Sequence, residues 1–159
     1  MLLEQLSNAF GPSGNEDEVR RILARALRGR VDEIKTDALG NLLAFKRGGG
    51  AEPRLGVMVD ARTDEVGFMI TRFEKNGLLG FRIVGGIDDR LLLAKGVVIG
   101  KKRLPGVIVA PPVHLTKEEQ RKQVLKVEQL AIDIGAGGDD EAKEMVRLGD
   151  YGTFDTRFE

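Results

Sequence analysis

The sequence predicts an α/β amino-terminal part followed by an all-β part, and three observations carry that division. Val19, Ile22, Leu23, Ala26 and Leu27 recur at i, i+3, i+4, i+7 and i+8, the apolar stripe of an amphipathic helix. Leu55 to Val59 is a short, nearly unbroken apolar run, which reads as a strand buried on both faces. After Ile70 the chain turns into short strand-like runs separated by Gly85-Gly86, Gly96, Gly100 and Pro105-Gly106, the punctuation of a small barrel or sandwich. The boundary falls near Gly67.

The elements follow in order. Leu2, Leu3, Leu6 and Phe10 give a short first helix, broken at Gly11-Pro12-Ser13-Gly14. Ser13 and Glu16 have capping-box spacing, and Asp17 and Glu18 put negative charge in the first turn of the second helix, which ends near Gly29. Val31–Thr36 and Leu42–Lys46 read as strands around an Asp37–Asn41 turn, and so as a hairpin. Gly48-Gly49-Gly50 is a connector, since no helix follows to make it a phosphate loop. Beyond the Leu55–Val59 strand, Asn76-Gly77 marks a tight turn between Phe68–Phe73 and Leu79–Val84. Further strands are expected at Leu91–Leu93, Val97–Lys101, Gly106–Val109, Ala131–Ile134 and Tyr151–Phe154. Thr116 and Asp139 are placed to cap short helices, and Lys117–Lys126 reads as a solvated loop or lid.

Composition excludes several classes of function. Lys plus Arg and Asp plus Glu are equal at 25 each, so no global charge favours nucleic acid or a membrane surface. No apolar run approaches the ~20 residues that span a bilayer, and a signal peptide is not expected. The absence of cysteine removes disulfides and thiolate metal sites, and His114 alone cannot supply a site that needs two imidazoles. The expected setting is the cytoplasm.

Chemistry is sought first past the carboxyl end of the Leu55–Val59 run, where Asp60, Arg62, Asp64 and Glu65 crowd together. Asp60, Asp64 and Glu65 could form a carboxylate cation site. Against that, Arg62 and Asp64 lie two apart, share a face of an extended chain, and pair readily. The ion-pair reading is preferred because an arginine opposes a bound cation. His114 reads as a loop or interface residue, and Asp88-Asp89-Arg90 as a turn with a local ion pair.

Several stretches together resemble the M42 family of metallo-aminopeptidases, also known as glutamyl aminopeptidases or cellulase-like proteins. They are FGPSGNEDEVR (10–20), TDALGNLLAF (36–45), TDEVGFMI (63–70), FRIVGGIDDRLL (81–92), PGVIVAPPVHLTKEEQRK (105–122) and IDIGAGGDDEAKEM with GDYGTFD (132–155). They run collinearly over nearly the whole chain. The resemblance implies a partial zinc-exopeptidase-type α/β sheet with helices, interrupted by an inserted small β-barrel domain through which subunits associate. The expected domains are 1–67 for the first part of the peptidase domain, 68–150 for the inserted barrel, and 151–159 for a truncated return. His114 matches a histidine of the inserted domain, away from the metals.

The same resemblance exposes two departures. The family motif His-x-Asp-Glu supplies a metal-binding imidazole, with the aspartate orienting it; here it reads Arg62-Thr63-Asp64-Glu65. A guanidinium has no lone pair for a metal. The remaining ligands and the general-base glutamate belong to a half that would begin just after Phe158. Asp64 is therefore the one catalytic position retained, and no metal is expected in this chain, whereas the complete family enzyme uses two zinc or cobalt ions to activate water against a peptide's amino-terminal bond. Two functions are expected. One is a truncated or split aminopeptidase, inactive alone and completed by a companion chain carrying the catalytic half. The other is a non-catalytic assembly or regulatory subunit that forms homo-oligomers through the β-domain. Peptide is the substrate only of the complete enzyme. Either way, the first 67 residues carry apolar surface suited to a larger sheet, so this part is expected to be covered by a symmetry mate, swapped or poorly ordered.

Overall fold

The computed structural model describes residues 1–111 and 124–159. His114, the Thr116 cap and most of the Lys117–Lys126 segment lie outside the described residues. The chain divides into two compact units, residues 1–64 with Phe158, and residues 65–157 with Glu159. Among the described residues no helix is long and apolar enough to cross a membrane.

The first unit is built from two helices and a hairpin. α1 spans Leu2–Ser7 and α2 spans Asp17–Leu27. The apolar stripe of α2 turns Val19 and Ile22 onto Ala9, with Leu6 and Leu23 packed around them. Burial of these few side chains is what holds two short helices that would be marginal alone. β1 (Glu33–Thr36) and β2 (Leu42–Phe45) pair antiparallel, Glu33 facing Phe45 and Thr36 facing Leu42. Their turn is organised by the Asp37 carboxylate, which accepts from the Leu39 and Asn41 amides at 3.0 and 2.8 Å and from the Asn41 side chain at 2.8 Å. Arg20 ties α2 to this turn by donating to the Gly40 carbonyl at 2.7 Å.

Two expectations fail in this unit. Ser13 does not cap α2: the residue at the cap is Glu16 and no side chain caps the helix. The Glu16 carboxylate instead accepts from the Gly14 amide at 2.6 Å. Nor is there a strand at Leu55–Val59. Leu55, Val57, Met58 and Val59 are 79–91% exposed and irregular. A strand buried on both faces needs neighbours for both edges and cover on both sides. No described strand pairs with this run; the first unit's sheet has β1 and β2 alone.

The second unit is a closed six-stranded antiparallel barrel. Its strands are β3 (Gly67–Phe73), β4 (Leu79–Val84), β5 (Gly96–Ile99), β6 (Leu104–Val109), β7 (Ala131–Asp133) and β8 (Tyr151–Phe154). They close in the order β3-β4-β7-β6-β5-β8. Closure removes every free edge. The turn between β3 and β4 needs a glycine twice over. Gly77 has φ +85°, and a Cβ there would stand 2.2 Å from the Ala136 carbonyl oxygen.

Alternate residues of each strand point inward. Phe68, Ile70, Leu79, Phe81, Val97, Ile99, Ile108 and Ile132 fill the interior, joined by Leu92 and Leu130. Phe68 lies edge-on to both Phe81 and Phe154, with ring centres 5.4 and 5.0 Å apart. α3 (Asp139–Met145) contributes Ala142 to the same core. The cap of α3 is Gly138 rather than Asp139, whose carboxylate pairs with Lys143 one turn on at 2.6 Å.

Two further readings are corrected here. Tyr151–Phe154, assigned from the sequence to the return segment, is the strand that closes the barrel, with Phe68 opposite Gly152 and Val97 opposite Phe154. Phe158 groups with the first unit, its amide donating to Asn8 Oδ1 at 2.9 Å, and Glu159 with the second. Leu91–Leu93 is not a strand. Asp89–Leu91 forms a 3-10 turn that buries Leu92 alone, with Leu91 and Leu93 left exposed.

Candidate functional site

The charged crest predicted past Val59 resolves into a three-residue constellation inside the first unit. Arg62 grips Asp64 with two parallel hydrogen bonds, Nε to Oδ1 at 2.9 Å and Nη2 to Oδ2 at 2.8 Å. The two residues sit two apart in an irregular segment, and the pair of hydrogen bonds shows that both side chains lie to one side. Asp64 Oδ2 also accepts a hydrogen bond from the Ser13 hydroxyl, across 51 positions of sequence. The partners differ in setting: the Arg62 side chain is 85% exposed, whereas that of Asp64 is 16% exposed.

The loop carrying Ser13 is held from several directions. Pro12 is fully buried. A Cβ on Gly11 would come within 2.6 Å of Val19 Cγ2 and 3.6 Å of the Thr63 carbonyl, so the chain approaches α2 where only glycine fits. The Asn15 amide donates back to the Pro12 carbonyl at 2.8 Å, and the Phe10 amide donates to Glu18 at 3.3 Å. The sequence signal for this loop was present in Gly-Pro-Ser-Gly, but its capping-box spacing pointed to a local partner instead of Asp64.

Electrostatics follow from these contacts. The Arg62 guanidinium, and then the Ser13 hydroxyl, hold the Asp64 carboxyl down to about 2. Arg62 is raised in turn by Asp64. Both groups are therefore charged across the ordinary pH range. Asp60 is exposed and Glu65 belongs to the second unit. Among the described residues no three His, Cys, Asp or Glu side chains are grouped to hold a metal ion. The donor set at this position does not fit one: Arg62 offers only N–H groups, and both oxygens of Asp64 are engaged.

The second cluster raised by the sequence, Asp88-Asp89-Arg90, serves the fold of the barrel unit. Asp88 accepts from the Arg90 amide at 3.0 Å, capping the 3-10 turn, and its carboxylate pairs with the Arg90 guanidinium at 2.5 Å. Those hydrogen bonds hold Asp88 down to about 2. Asp89 pairs with Lys126 at 3.2 Å.

A helix-and-hairpin unit and a closed six-stranded barrel in one chain are a combination shared with aminopeptidases of known structure. A TET aminopeptidase from a marine sediment archaeon, Thaumarchaeota archaeon SCGC AB-539-E09, superposes with a TM-score of 0.91 at 35% identity, over 99% of this chain and 45% of that one. The TET1 peptidase of Pyrococcus horikoshii, which assembles into a tetrahedron or a large octahedral shell, gives 0.79 at 37% identity, over all of this chain and 48% of that one. An aminopeptidase-like protein of Acetivibrio thermocellus is 37% identical over 153 residues, 96% of this chain and 43% of the relative. Residues 40–159 match the M42 glutamyl aminopeptidase family, and the chain belongs to that family. It spans less than half the length of the curated relatives it matches.

Proposed function

We propose that this chain provides the amino-terminal part of an M42-type aminopeptidase architecture and is not competent for metal-dependent peptide hydrolysis by itself. The observation that carries the reading is the two-pronged Arg62–Asp64 pair. At this position the resemblance calls for an imidazole that ligates a metal, with Asp64 as its orienting partner. A permanently charged guanidinium takes that seat and pairs with the carboxylate through both of its oxygens. The matched region accounts for under half of each relative, so the family's reaction needs groups corresponding to the remainder, in a companion polypeptide or further along the same one. In this reading Asp64 keeps its place, no metal is bound at residues 60–65, and the setting is the cytoplasm.

A second reading rests on the same arginine together with the barrel. The barrel is complete and closed, and the TET1 peptidase of similar structure forms large assemblies. A chain with an intact barrel and a metal seat converted to an ion pair fits a non-catalytic assembly or regulatory subunit, associating with copies of itself.

One set of measurements separates the readings. The purified chain is assayed for bound metal and for aminopeptidase activity, with and without added zinc or cobalt. It is then assayed again with a polypeptide corresponding to the carboxyl-terminal half of the Acetivibrio relative. Neither tight metal binding nor turnover is expected of the chain alone. Turnover gained on mixing supports the split enzyme, and a stable oligomer with no gain supports the subunit. A tightly held metal pair or peptide trimming by the unaided chain overturns both.

A further inference from the structure

The two groups that hold Asp64 are not equivalent. Arg62 reaches it on a long side chain that is almost wholly in water, where an ion pair is screened and ordering several rotatable bonds offsets much of the gain. Ser13 reaches it on a single rotatable bond from a loop whose backbone is already fixed. Buried Pro12, the Gly11 approach to Val19 and Thr63, and the Asn15-to-Pro12 hydrogen bond define where its hydroxyl stands. The serine is half-buried beside a carboxylate that is mostly shielded from water.

We propose that Ser13 is the positioning residue of this site: its hydroxyl sets the direction of the Asp64 carboxylate, and Asp64 in turn sets the side chain at position 62. Order passes one way, from the α2 loop to Ser13, to Asp64, to Arg62. The inference takes position 64 as the orienting carboxylate of the proposed function, but its test reads side-chain order and not turnover, so the two stand or fall separately. Asp64 holds an arginine in this chain. With the serine in place, the same carboxylate would hold any hydrogen-bond donor placed at position 62.

The experiment follows two reporters by NMR in the full chain. One is the exchange rate of the Arg62 Nε–H; the other is the Asp64 χ1 rotamer, read from three-bond couplings. Ser13→Val and Ser13→Thr form an isosteric pair, of which only threonine keeps the hydroxyl. In Ser13→Val the Arg62 Nε–H is expected to exchange about tenfold faster or more, as loss of a hydrogen bond to a charged group implies, and Asp64 to average over rotamers. Ser13→Thr is expected to restore both. Arg62→Ala is expected to leave Asp64 in one rotamer. Amide protection in α2 tells whether each variant is folded, and if Ser13→Val loses it, the comparison of Ser13→Thr with Arg62→Ala decides through Asp64 alone. The inference is overturned if Ser13→Val leaves Arg62 exchange unchanged, if threonine fails to rescue, or if Arg62→Ala frees Asp64.

Discussion

The two units of this chain handle apolar sequence in opposite ways. In the barrel, Phe68, Leu79, Ile108 and Ile132 have no exposed surface. In the amino-terminal unit, the equally apolar Leu55–Val59 run is left in water. Intrinsic preference does not explain the difference, because valine, which favours strands, stands in both. Pairing does. Every barrel strand has two hydrogen-bonded neighbours, and closure turns one face of each inward. The amino-terminal hairpin offers only two strands, too few for a stable two-sided sheet. A strand is a property of its neighbours before it is a property of its residues.

The largest effect expected from that contrast is in the barrel. Phe68→Ala removes a ring packed against two others and should cost about 3–5 kcal/mol in urea unfolding of the barrel. A cost below about 1 kcal/mol would mean that the interior is loosely packed. Next comes the turn that sets the β3–β4 register. Gly77→Ala should cost about 1–3 kcal/mol, since the residue has positive φ and faces the Ala136 carbonyl. Thermal melting of that variant beside Gly149→Ala, which has positive φ but open space, separates strain from collision.

A smaller, pH-dependent effect belongs to the amino-terminal unit. Asp64 is held at about 2, below an unfolded value of about 3.9. A depressed acid stabilises the fold when ionised, so its contribution is complete above pH ~4 and is lost as pH falls through ~2. Unfolding of the first unit followed at pH 5, 3 and 2 should show this loss, and Arg62→Gln should reduce it, leaving the part that the Ser13 hydroxyl supplies. The smallest effect on stability is expected at the exposed run. Val59→Lys should change unfolding of the isolated chain by no more than about 0.5 kcal/mol. It should, however, weaken any association that covers this run, visible as a lower sedimenting mass. A stability loss of several kcal/mol would show instead that Val59 is buried.

What the sequence disclosed follows the same line. The helix stripe of α2, the Asn76-Gly77 turn, the barrel strands as separate runs and the Arg62–Asp64 pairing are all written in near neighbours. What it concealed depended on distant ones. Ser13 has a partner 51 residues away, and its local spacing to Glu16 offered a plausible but unused alternative. Leu91–Leu93 looked like a strand because three leucines stand together, yet the Asp88 cap bends the chain so that only Leu92 turns inward. Leu55–Val59 has strand composition and no described partner. Tyr151–Phe154 reads as a strand, but its place beside both β3 and β5 is a matter of closure that no local pattern encodes.

That closing strand has a consequence of its own. β8 runs antiparallel beside β3, with Phe68 opposite Gly152, so the chain leaves the barrel next to where it entered. A module whose first and last strands are neighbours asks little of the polypeptide that hosts it, since the loop entropy of closing a short gap is small. Residues 65–157, which form one compact unit, are expected to behave as a cassette. They should fold when expressed alone and tolerate transplantation into an unrelated surface loop, and a short glycine linker should suffice to rejoin the chain they leave behind.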